Sequence, residues 1–153
     1  MSHAQVAFAL AILAVPLAVL RYVLKDLLEP LGVPVWLGSL FASLWVLLGV
    51  ALGLMFGREG RAPAGRYRRA ALPFLLLAAW CELLVIGGIL LTGARDADTY
   101  YCGPFAAVRA HFPTASEHAM GHVQGFVPRT VIWLVLGTIV FVLARRSARR
   151  RVA

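Results

Sequence analysis

Residues 35–56, VWLGSLFASLWVLLGVALGLMF, run for 22 positions without one charged side chain. As a helix such a run is about 33 Å long, close to the hydrocarbon thickness of a bilayer. Comparable runs occupy residues 4–27, 70–92 and 129–145, and 61% of the 153 residues are hydrophobic against 14% charged. That balance belongs to membrane proteins. The expected fold is all-α, a four-transmembrane-helix bundle forming one domain over residues 1–153. The connector at 93–128, between the third and fourth spans, is long enough to be a partly helical extracytoplasmic unit. The fourth run is short, so it needs residues 125–128 or a locally thinned bilayer. Pro16 should kink the first span, while Pro128 suits the first turn of the fourth. No basic stretch precedes the first run, so it reads as a retained span rather than a cleaved leader.

The formal charge is +8. Its placement excludes nucleic acid as a partner: ten of the fifteen basic residues fall in two clusters, 58–69 and 145–151, each beside an apolar run. Basic residues concentrated at span ends mark the cytoplasmic side and attract anionic lipid. Both termini and the 58–69 loop are therefore expected in the cytoplasm, across a bacterial-type inner membrane. Arg21, Lys25, Arg95, Arg109 and Arg129 fall on the outer side in this reading. Membrane lipids are the expected partners, with a homo-oligomer or a place in a membrane complex as the protein alternatives.

Gly49, Gly53 and Gly57 recur every four residues in the second run. On a helix they form one smooth stripe where another backbone can approach, within the bundle or in a second copy.

Glu82 lies about halfway along the third run. A carboxyl there must be protonated, paired or open to water. Thr138, Ser43 or a backbone carbonyl would satisfy it as a structural group, and Arg21 could reach it across an outward cavity. A functional Glu82 would be a catalytic acid, an ion site or a proton relay.

In the connector, Thr114-Ala-Ser-Glu117 has the spacing of a capping box, predicting a helix over 115–125. On it His118 and His122 stand four apart on one face. Two imidazoles so placed can share Zn²⁺ or another transition metal, with His111 as the third ligand or else Cys102, Asp96 or Asp98. The alternative is ordinary packing at the headgroup level. Haem fits less well, because both rings project from one side of one helix. Glu117 suits a cap better than a ligand, though it is also a candidate catalytic group. Cys102, before Gly103-Pro104, is a candidate nucleophile or a small turn filler. With Cys81 inside an apolar run, the cysteines imply no disulfide framework and no CxxC site.

Three function classes follow. The first is a binding or assembly module whose outer connector engages a partner or lipid. The second is a small membrane enzyme or metalloprotein using His111, His118 and His122. The third is a proton- or ion-coupled transporter centred on Glu82. Nothing in the residues commits the chain to catalysis.

Overall fold

The computed structural model describes residues 1–28, 44–63, 65–92 and 114–151. Among these residues there are four helices and no strand: α1 (His3–Leu28), α2 (Leu44–Arg61), α3 (Tyr67–Thr92) and α4 (Ala115–Arg150). The fold is all-helical, and α1, α3 and α4 are each long and apolar enough to cross a membrane. The described part of α2 starts at Leu44 and ends among charges, so it does not meet that measure by itself.

The helices pack pairwise, most extensively α2 on α4 and α1 on α3, with α3 also touching α2 and α4. The core between them is apolar and centres on Met55, Phe56, Phe74 and Leu77. Phe56 stacks on Tyr67 at 5.1 Å and tilts against Phe74 at 5.6 Å. Tyr67 in turn meets Phe141 edge-on at 5.6 Å. Large apolar side chains such as Phe8, Leu76, Leu83, Val131 and Leu143 point outward. Such a rim is costly in water and ordinary against lipid.

One end of the bundle gathers the basic clusters. The Arg58 guanidinium donates to Met1 O at 2.8 Å, and His3 Nε2 lies 3.4 Å from Glu59 Oε1. Glu59 also accepts the Arg66 backbone N–H at 2.6 Å, which closes the turn between α2 and α3. Gly60 lets the end of α2 meet α4: a Cβ there would stand 2.5 Å from Phe141 O and 2.9 Å from Ala144 Cβ. The first residues, the α2–α3 turn and the C-terminal turns of α4 thus share one end.

Two expectations are corrected. No break separates a connector helix over 115–125 from a span over 129–145; α4 is one helix of 36 residues. Pro128 lies inside it rather than in a first turn. A proline removes one backbone donor, and within a packed helix neighbouring groups compensate for it. Likewise α1 continues through Pro16.

The second is where a glycine admits the closest approach. Gly49 and Gly57 face α4 at ordinary contact, 3.8 Å from the Trp133 ring and 3.9 Å from Val140, whereas Gly53 is exposed with nothing near it. Close approach occurs instead at Gly137, where a Cβ would overlap the Phe56 ring and stand 2.9 Å from Leu52 Cδ2. A four-residue spacing sets a face, but the tight positions are those opposite the largest rings.

Candidate functional site

Register brings the site together. Thr138 Oγ1 accepts from Tyr67 Oη at 3.2 Å, so those two residues are level on antiparallel α4 and α3. Glu82 lies fifteen residues beyond Tyr67 and His122 sixteen residues before Thr138. At about 1.5 Å per residue both sit roughly 23 Å from that level. The carboxylate and the imidazole therefore meet across the α3–α4 interface.

Glu82 Oε1 lies 2.7 Å from His122 Nδ1, and the two side chains are 8% and 6% exposed. The same oxygen accepts from Arg129 Nη2 in an ion pair. Arg129 Nη2 also donates to His122 O at 2.7 Å. One guanidinium nitrogen thus ties the carboxylate to the helix that carries the imidazole. A carboxylate out of water is tolerable only with such compensation, because a buried unpaired ion costs about 3–5 kcal/mol.

The local sequence of α4 explains why the arginine can reach. Arg129 follows Gly125 by four residues, one helical turn, and a Cβ on Gly125 would overlap Arg129 Nη1. Gly125 leaves a channel along which the guanidinium folds back toward His122. The Trp45 ring forms the other wall, with Arg129 Cζ 5.7 Å from its centroid, a cation–π distance. Trp45 is held by stacking on Trp133, 5.9 Å apart and nearly parallel. Arg129 Nε is buried without an acceptor among the described residues.

His118 completes the cluster. Its ring is 1% exposed, lies one turn nearer the start of α4, and sits 5.0 Å from His122, tilted by 55°. The start of α4 is set by the predicted capping box. Thr114 Oγ1 accepts the Glu117 N–H at 3.3 Å, and Glu117 Oε2 accepts the Thr114 N–H at 3.0 Å. Glu117 is exposed and occupied as a cap, so it stands apart from Glu82.

The sequence candidates divide accordingly. Glu82, His118 and His122 are brought together; Glu117 is not. His111 and Cys102, and the outer connector at 93–113, lie outside the described residues, as does Ser43. Arg21 belongs to α1, but its side chain is not among those described. Thr138 does not satisfy Glu82: its hydroxyl donates to Leu134 O at 2.8 Å and pairs with the Tyr67 hydroxyl. Among the described residues no group of three His, Cys, Asp or Glu side chains is placed to hold a metal ion. Both histidines are buried among the helices. Arg129 is the member of this cluster that the sequence does not single out, because on charge alone it groups with the outer-face residues. A lone arginine and a lone glutamate within facing apolar runs is itself a signal that they pair.

No protein-family model, curated protein or solved structure matches this chain.

Proposed function

We propose that the chain is a four-span inner-membrane protein, its arginine-rich end cytoplasmic, that takes up and releases a proton at Glu82 and His122 from the outer side. The observation that carries this reading is the 2.7 Å contact between a buried carboxylate and a buried imidazole. Such a pair holds a proton between two groups able to exchange it, since imidazole both accepts and donates through its two nitrogens. His118 extends the pair one turn toward the start of α4. Arg129 supplies the countercharge beside the Glu82 carboxylate.

On the arginine-rich side of Glu82 lie roughly 20 Å of apolar core around Leu77, Phe74, Phe56 and Met55. That arrangement supports a one-sided exchange site coupled to movement of α4 on α3, as a proton-linked carrier requires, rather than an open pore. The test is infrared difference spectroscopy of the reconstituted protein on acidification. A protonated-carboxyl band that Glu82→Gln removes is the expected result, together with acid-driven proton uptake that the variant lacks. Identical spectra and uptake for the two proteins would dispose of the proposal.

A metal-binding reading has one observation in its favour: a carboxylate on Nδ1 is how proteins orient a histidine to offer Nε2 to a metal. His118 and His122 would supply two nitrogens to Zn²⁺, with His111 the candidate third. Metal analysis of the purified protein beside His118→Ala and His122→Ala decides it; equal, substoichiometric zinc in all three rejects it.

A further inference from the structure

Where α2 and α4 end together, two cavities lie side by side. One, of about 500 Å³, is walled by Gly60, Arg61, Pro63, Arg145, Ala148 and Arg149. The other, of about 470 Å³, is walled by Arg61, Ala144, Ser147, Ala148 and Arg151. They share Arg61 and Ala148, and each has basic side chains of its own. None of these four arginines is in an ion pair with an acid among the described residues. The nearest acid in sequence, Glu59, is turned to His3 and to the Arg66 N–H.

The face of α4 that carries Arg149 also carries an exposed apolar row. Val131, Val135 and Val142 are all exposed, and helical spacing puts them within about 40° of Arg149 on the face of α4. A ligand seated there meets guanidinium groups at one end and a valine row at the other. Free phosphate uses only the first; a phospholipid uses both, with its phosphate in the basic cleft and an acyl chain along the valines.

We propose that this cleft binds an anionic phospholipid carrying two phosphates, diphosphatidylglycerol, with one phosphate in each cavity and Arg61 between them. The guanidinium forks match phosphate oxygens, and the shared arginine favours two linked phosphates over one. This site rests on the membrane reading but not on the proton chemistry of Glu82. Extraction that succeeds only with detergent tests the membrane reading separately.

The experiment uses the full chain in vesicles of phosphatidylcholine supplemented with phosphatidylglycerol or with diphosphatidylglycerol at equal phosphate charge. Lipid retained after detergent dilution is read by native mass spectrometry. We expect diphosphatidylglycerol to be retained in preference to phosphatidylglycerol. Arg61→Gln with Arg149→Gln should weaken retention about thirty-fold, two arginines' worth of attraction to anionic lipid. Arg68→Gln with Arg69→Gln, which removes equal charge from the same end but outside the cleft, should retain the lipid. Equal retention of the two lipids, or equal loss in the two double variants, would reduce the site to surface charge and overturn the proposal. Pyrophosphate bound by the delipidated protein as tightly as the lipid would overturn the lipid as its occupant.

Discussion

Toward its arginine-rich end the bundle is joined by aromatic rings seated against glycine; some 20 Å away it is joined by a carboxylate held between a guanidinium and an imidazole. Around Phe56, Gly137 and Tyr67, helices meet through shape, and any apolar group of the right volume would serve. Around Glu82 they meet through charge, which needs all its members at once. In lipid the hydrophobic effect does little to hold one helix to another, so packing and polar contacts carry the association. The apolar seam supplies the packing. A polar cluster that adds desolvation cost where apolar contacts would serve points to a role beyond holding the helices together.

The sharpest way to break the comparison is at Arg129. Arg129→Met should leave a buried carboxylate without its countercharge and cost about 3–5 kcal/mol. Adding Glu82→Gln should recover most of that loss, because the uncompensated charge goes with it. Thermal or denaturant unfolding in detergent micelles reads both. If the single variant is as stable as the parent, Arg129 is not the countercharge, and the electrostatic account of this end fails.

Phe56→Ala should cost about 3–5 kcal/mol as well, through a cavity rather than a charge. Its coupling runs to Gly137. Gly137→Ala in the parent should cost about 1–3 kcal/mol, since the new methyl meets the Phe56 ring. In the Phe56→Ala background the same substitution should be nearly neutral or stabilising. The two ends thus differ in what rescues them: loss of charge at one, change of volume at the other. Strict additivity of Phe56→Ala and Gly137→Ala would show that the ring does not press on the glycine.

Much of this is legible in the amino-acid sequence, and what is not has physical causes. Apolar runs announce helices because a backbone in lipid must satisfy its own hydrogen bonds. Thr114 and Glu117 announce the start of α4 because their contacts are local. Glu82 announces a need for a partner, but its partners are long-range. They stayed hidden because Pro128 reads as a boundary, which put His122 and Arg129 in different units when they belong to one helix. The spacing of Gly49, Gly53 and Gly57 is visible without a structure; which glycine meets a ring is not, since that depends on the register of α2 against α4.

The same register argument gives the smallest of these effects. The site requires α4 to be helical from Ala115, well before the apolar run at 129 begins, so that His118 and His122 are on the α3-facing side. Thr114→Ala removes the hydroxyl that accepts the Glu117 N–H and should cost about 1 kcal/mol. The loss should be local, since the helix beyond His122 is held by Arg129 and by packing on α2. Amide hydrogen exchange in micelles should therefore quicken over residues 115–119 and stay unchanged past residue 129. Exchange that quickens through residue 129 would show that the capping box, rather than the Glu82 cluster, holds this stretch of α4, and the polar end would lose its claim to position its own helix.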